Sequence, residues 1–500
     1  MLIMERFGPH RGNWKKTISF DIKEICLFRP SLSQEQKTHL QEARSRLTGL
    51  AGSLLAGALA SSPSAWSGEG QAAKPKVAFQ QFTLKNGLRV ILSEDHAAPT
   101  YSICVTYNVG SRDERPGRSG FAHLFEHMMF QGSGNVGKGE HFILVLNNGG
   151  SANGTTNAER TNYYETLPAN QLELGIFLEA DRMGSLDVTQ SNLDNQRHAV
   201  QEERRLNYDN RPYGRTFETV LDTAYDNFVY KHSTIGSMED LNAASLEEAR
   251  SFFRTYYAPN NAVLTLVGDF QTETALALVR KYFEGIPSQS APPAPDMTEP
   301  EQTGERRKTI DDPFAQAPRL DIVYKTAPGN TADWYSLRVL GQIIAGDLSS
   351  RLHQKLVKEL ELVVAVSAGP DERRGKSLFW VSLTVRPGKS LQEIERIVHE
   401  EIERLKQEPV ADWELDKVRM KLRLQQTQAL YSTRSRANSL GHDAVYYNEP
   451  ELINTVLDKF ARVAKSDLQR VANRYLSATN RTVVTTLVKS KASPATPPNG

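Results

Sequence analysis

From about Val77 onward, apolar residues come in short β-branched runs separated by turn residues. "FQQFTLKNGLRVILSED" and "TYSICVTYNVGSRDE" predict strands, joined through Lys85-Asn86-Gly87. The period then changes. From Gly120 to about Phe130, from Gly139 to Asn147 and from Ala169 to Met183, apolar side chains recur every three or four residues, the spacing of amphipathic helices. Between two of these helices "GGSANGTTNAERTNYYETL" predicts a pair of strands. The stretch from Gln289 to Asp312 is rich in proline and charge, has no apolar period, and predicts a linker.

The segments either side of that linker resemble each other. One ends "FFRTYYAPNNAVLTLVGDF" and the other "VANRYLSATNRTVVTTLVK". Both run from a helix through a tyrosine and an asparagine-bearing turn into a β-branched strand. The expected class is α+β: two related domains of mainly antiparallel sheet packed with helices, at 74–288 and 313–492, joined by a linker at 289–312.

Composition adds exclusions. With 39% hydrophobic residues, 24% charged and a formal charge of +1, nothing favours nucleic acid or an anionic membrane as partner. Two cysteines, Cys26 and Cys104, supply neither a disulfide framework nor a cysteine zinc cluster. Residues 1–73 read as a leader. Arg44 and Arg46 precede the apolar run Leu47 to Ala60, which ends in small residues like a bacterial secretory signal and is too short for a stable membrane span. A used signal means the periplasm; an unused one leaves the chain cytoplasmic.

Candidate chemistry concentrates in "FAHLFEHMMFQGS". On a helix His123 and His127 lie one turn apart with Glu126 roughly between them, while Phe121, Leu124, Phe125 and Met128 point to the opposite side. Two neutral imidazoles at i and i+4 can both reach one Zn²⁺, and Glu126 can stand beside the ion as a general base. The alternative is a pair of structural histidines. A catalytic zinc needs a third protein ligand, and "SNLDNQRHAVQEERRLNYDN" offers Glu202 and Glu203. Leu193, Ala199, Val200 and Leu206 define the apolar side of this helix, with Ser191 as its expected cap. Glu203 projects near the middle of that side and Glu202 about 100° off it. A carboxylate aimed into a core is costly unless paired or bound to metal, which favours Glu203. His141, His198 and His232 have no comparable context and read as surface or core histidines.

"HLFEH" followed 76 positions later by the glutamate of "EER" resembles the inverted zinc motif of the pitrilysin family of peptidases. The resemblance extends from about Phe79 to Val488 through "LKNGLRVIL", "NVGSRDE", "NGGSANGTTNAERTNYYETL" and "YYAPNNAVLTLVGDF". It implies one zinc per chain on His123, His127 and Glu203, Glu126 as general base, and two such chains or halves closing as a clamshell around a peptide. It also implies that substrate adds to the strand carrying Asn153, Gly154 and Thr155 by backbone pairing.

Two departures from the family pattern stand out. Gln196 replaces a glutamate that often supports the site two turns before the glutamate ligand. In the second half Val357 and Val364 occupy the places of an arginine and a tyrosine that hold substrate in active members. The chain therefore reads as the zinc-bearing subunit of a heterodimer whose homologous partner supplies arginine and tyrosine, with a homodimer as the alternative. The expected function is a zinc metalloendopeptidase acting on unfolded peptides. The rival reading is a non-catalytic scaffold or assembly subunit of the same fold.

Overall fold

The computed structural model describes residues 76–489. The leader, including Leu47 to Ala60, lies outside the described residues. Among those described, no helix is long and apolar enough to cross a membrane.

Eleven strands form two sheets among the described residues. The first contains β1 (Gln80–Thr83), β2 (Arg89–Glu94), β3 (Thr100–Tyr107), β4 (Ser151–Thr156), β5 (Thr161–Pro168) and β6 (Ala262–Gly268), in the order β1-β2-β6-β3-β5-β4. The second contains β7 (Arg306–Asp312), β8 (Arg319–Thr326), β9 (Val363–Pro370), β10 (Ser377–Val385) and β11 (Arg481–Val488), in the order β7-β11-β8-β10-β9. Without β1 the two orders are identical. The β2–β6 and β7–β11 pairings are parallel and every other pairing is antiparallel. The two segment endings compared above are β6 and β11, which occupy matching positions. One expectation is corrected here: the last seven residues of the proposed linker are β7, an edge strand, so the irregular connection is shorter than 289–312.

The helices of the described residues include α1 (Phe121–Met128), α2 (Glu140–Asn147), α3 (Leu172–Ser185), α4 (Gln190–Arg204), α5 (Gly214–Ala224), α6 (Ala332–Ala345) and α7 (Thr433–Tyr447). One face of each sheet packs on helices of its own domain. The other is covered by a helix from the opposite domain. Ala437, Leu440 and Ala444 of α7 join Ile91, Cys104 and Val263 on the first sheet, and Val220, Leu221 and Ala224 of α5 join Val323 and Val484 on the second. Thr265 Oγ1 donates to the Ala437 carbonyl at 2.8 Å, and the Thr216 and Thr486 hydroxyls meet at 2.7 Å. This reciprocal cover fastens the two domains together.

Close approach of α7 to its sheet depends on Gly441, where a Cβ would stand 2.5 Å from Thr106 Oγ1. Overpacking of this kind costs about 1–3 kcal/mol. Gly441→Ala is expected to lower the melting temperature by several degrees. An unchanged melting temperature would show that the helix can move off the sheet without loss.

Candidate metal centre

The helix carrying the histidines is anchored at its start. Gly120 adopts φ +89°, and a Cβ there would lie 2.7 Å from the Ile235 carbonyl oxygen. The buried Glu114 carboxylate accepts the backbone N–H groups of Gly120 at 2.9 Å and Ala122 at 2.8 Å, satisfying two donors of the first turn. His232 Nε2 meets the same carboxylate at 2.9 Å. Phe121, Leu124, Phe125 and Met128 are buried, with the Phe125 ring 5.0 Å from Phe252 and 5.5 Å from Tyr257. The opposite side therefore presents His123, Glu126 and His127.

Helix α4 crosses α1 and brings the third group. Its cap is Thr189, whose hydroxyl accepts from Asn192 N at 3.3 Å, and not Ser191. Leu206 is also corrected: it is 70% exposed, because residues 205–209 wind as a wider π-turn that rotates it away from the apolar side. Leu193 and Val200 are buried as expected. Glu202 points to solvent and pairs with Arg205, whereas Glu203 turns toward α1. Arg204 pins the end of the helix by donating to the Glu218 carboxylate at 2.8 and 3.0 Å and to the Gly236 carbonyl at 2.6 Å.

Glu203 Oε2 lies 3.2 Å from His127 Nε2 and 3.7 Å from His123 Nε2, and the two imidazoles are 4.8 Å apart between centroids. One ligand atom from each residue falls within 4.8 Å of the others. Burial, reinforced by the neighbouring His127, pushes His123 down to about 4, so its imidazole is neutral with a lone pair to give. Its Nδ1 is buried with no hydrogen-bond partner among the described residues. Glu203 is held below the usual carboxylate range, chiefly by its hydrogen bond to His127. Two imidazole nitrogens and one carboxylate converging in this way suit a divalent cation of zinc type.

Glu126 is different in kind. It is outside the converging set and hydrogen-bonded to the Thr156 side chain, and burial raises its carboxyl above the ordinary range. It packs against β4, where a Cβ at Gly154 would come 3.0 Å from Glu126 Cγ. β4 is the edge of its sheet. Among the described residues it pairs only with β5, through Asn153 opposite Tyr164, Gly154 opposite Tyr163 and Thr155 opposite Asn162, and no strand of theirs lies on its other edge. Thr155 donates to Asn162 Oδ1 at 2.6 Å, and the Asn153 side chain accepts its own neighbour's N–H.

Gln196 is buried on α4, and its amide donates to Asn195 Oδ1 at 2.7 Å. His198 is exposed. His141 is a core residue, 2.5 Å from Glu165 Oε1 and beside Glu179, which pairs with the fully buried Arg182. Burial drives His141 down to about 3 and Glu165 up to about 7. The Arg182 guanidinium already fills the cationic role in this second cluster, and it stacks on Tyr163 at 4.5 Å. Sequence reasoning missed Glu114, Thr156 and the role of His232. Only the six-residue interval from Glu114 to the start of α1 could have suggested the first, and the other two depend on chain crossings.

The profile described as insulinase, peptidase family M16, matches residues 89–237, and that of the peptidase M16 inactive domain matches 243–422. The chain belongs to the M16 peptidase family. The zinc protease PqqE of Helicobacter pylori is 29% identical over 408 residues, 81% of this chain and 92% of that protein. The crystal structure of a protease from H. pylori has a TM-score of 0.79 at 28% identity, covering 82% of this chain and all of that one. The first half of the periplasmic protease PqqL from Escherichia coli shares the fold at a TM-score of 0.69 and 18% identity, covering 82% of this chain and 92% of that one. M16 proteins thus include both named zinc proteases and domains described as inactive, so the activity of this member turns on its own residues.

Proposed function

We propose that this M16 chain is a zinc metalloendopeptidase for unfolded peptides, holding one Zn²⁺ on His123, His127 and Glu203. The observation that carries the reading is the convergence of these three donors beside a fourth carboxylate, Glu126, that is not one of them. A closed structural zinc site uses four protein ligands, whereas three leave a position open for chemistry. Zinc bound there supplies a Lewis acid that polarises the scissile carbonyl and makes water a better nucleophile.

The chain's own residues do the rest. The open edge of β4 pairs with the backbone of an extended peptide, tolerating many sequences and setting the scissile bond near Asn153 and Gly154. Glu126, with its carboxyl raised by burial, accepts the proton of the attacking water and passes it to the departing amine. Retention of all four residues argues against the scaffold reading, since a scaffold has no use for a base beside an open metal site.

The reading includes a partner. β9 occupies in the second sheet the place of β4 in the first, and it carries Val364, 55% exposed, while Val357 packs against the second core. Neither can donate a hydrogen bond to a developing oxyanion. A homologous subunit supplying arginine and tyrosine would complete the site as a closed chamber. A second copy of this chain could close a chamber but would bring the same two valines.

Ligand assignment is tested by zinc content after metal loading. Glu203→Gln is expected to fall well below the one zinc per chain of the parent, and Glu202→Gln to match the parent. Equal zinc in the two variants would reject Glu203 as a ligand. Export through Leu47 to Ala60 is part of the same reading. The intact mass of native protein should lack about the first sixty to seventy residues, and a full-length cytoplasmic species would reject it.

A further inference from the structure

Beyond the converging donors, the turn that follows α4 opens onto a cleft walled by aromatic rings from both domains. Two adjoining cavities of about 380 and 370 Å³ share Tyr208, Phe217 and Trp380. The first also reaches Thr156 and Asn157 at the end of β4, so it borders the residue whose side chain meets Glu126. Phe217 and Trp380 stack across the domain boundary, centroids 5.8 Å apart and planes 14° from parallel. Phe217 nevertheless remains 43% exposed. An aromatic wall left open inside a cleft beside reactive groups is contact surface for a ligand.

The connection between Tyr208 and the helix carrying Phe217 is held under strain. Tyr213 has φ +61° and ψ 10°, a left-handed conformation uncommon for a non-glycine residue. Contacts from the second domain fix it there: its N–H donates to the Asp312 carboxylate at 2.6 Å and its hydroxyl to the Ala317 carbonyl at 2.7 Å. The second domain therefore fixes the backbone from which Phe217 projects.

Most of the acidic charge in the cleft is matched within the protein. Every carboxylate lining the two cavities already has a partner. Asp321 binds Arg319 at 2.8 and 2.9 Å, Asp371 binds Arg373 at 2.8 Å, and Glu159 binds Arg112 at 2.7 Å and Tyr230 at 2.5 Å. Glu372 accepts from the Tyr447 hydroxyl at 2.6 Å. Asp321, Asp371 and Glu159 are thus each matched by an arginine, Glu372 meets a neutral hydroxyl at the exposed rim, and the wall the two cavities share is aromatic.

We propose that this cleft is a specificity subsite for an aromatic or large aliphatic side chain of the substrate, two or three residues from the bond cleaved. The interval follows from β4 itself. Gly154 adjoins Glu126 and Thr156 borders the cleft two residues on, and a paired peptide advances residue for residue with the strand. The proposal rests on the peptidase reading for its register, but binding tests it separately.

Zinc-loaded full chain carrying Glu126→Gln, in its native assembly, is titrated with fluorescein-labelled extended peptides that differ at one position: Phe, Leu, Ala, Lys or Asp. The Phe peptide is expected to bind at least tenfold more tightly than the Ala peptide. Adding Phe217→Ala should reduce that ratio below threefold, and Phe217→Glu should turn the preference toward Lys. Trp380→Leu serves as a second variant, since Phe217 and Trp380 form one wall. With the wild-type residue at 126, mass mapping of products should put the preferred side chain two or three residues from the cut. A Phe-to-Ala ratio near one, or a ratio unchanged by both Phe217→Ala and Trp380→Leu, overturns the subsite. Hydrolysis without preference fails the subsite alone, while preferential binding without hydrolysis in the wild-type chain fails the peptidase reading alone.

Discussion

Glu126→Gln is expected to abolish detectable peptide hydrolysis, a loss of at least about a hundredfold, with zinc still bound at about one per chain. Glutamine keeps the shape and the hydrogen bond to Thr156 but cannot take a proton. The donors at His123, His127 and Glu203 are untouched by the change, and the acid lost is not among the converging atoms. Hydrolysis assayed beside zinc content separates the two roles. Loss of zinc along with activity would make Glu126 a ligand. Retained activity would remove it from the mechanism.

The second large effect concerns the partner. The chain alone is expected to bind zinc yet hydrolyse peptides at least tenfold more slowly than the assembled pair, the equivalent of about 1.4 kcal/mol of transition-state stabilisation. The physical reason is the exposed Val364 and the packed Val357, neither of which can support an oxyanion. Losing one preorganised donor costs about a hundred- to a thousandfold in well-studied enzymes, so tenfold is a lower bound. The assay compares the chain alone, the pair, and a pair whose partner has lost its arginine and tyrosine. The third should fall back to the first. Full activity from the chain alone would make Val357 and Val364 a tolerated variation.

Much of this arrangement is legible in the chain itself, for specific reasons. The helix of His123, Glu126 and His127 follows from a 3.6-residue period, because its apolar side must pack and its polar side must then face outward. The duplication is legible because β6 and β11 keep the same tyrosine, asparagine-turn and strand pattern. The apolar side that favours Glu203 over Glu202 in the sequence includes Leu206, yet Leu206 is exposed. Buried Leu193 and Val200 define that side without it, and the π-turn after Arg204 is a local backbone event that periodicity does not report. The exchange of α5 and α7 between domains is not legible, since an amphipathic helix does not declare which sheet it will cover. Nor are the contacts of Glu114 with α1 or of Thr156 with Glu126, which exist only once distant segments cross. The aromatic cleft was missed because Phe217 and Trp380 are 163 positions apart in the sequence.

Native mass spectrometry of the purified, metal-loaded chain tests the central claim most directly, comparing the parent with His123→Ala, His127→Ala and Glu203→Gln. The account predicts one zinc per chain in the parent and loss of that zinc in each variant. A parent that takes up no zinc, or variants that keep it, would contradict the assignment.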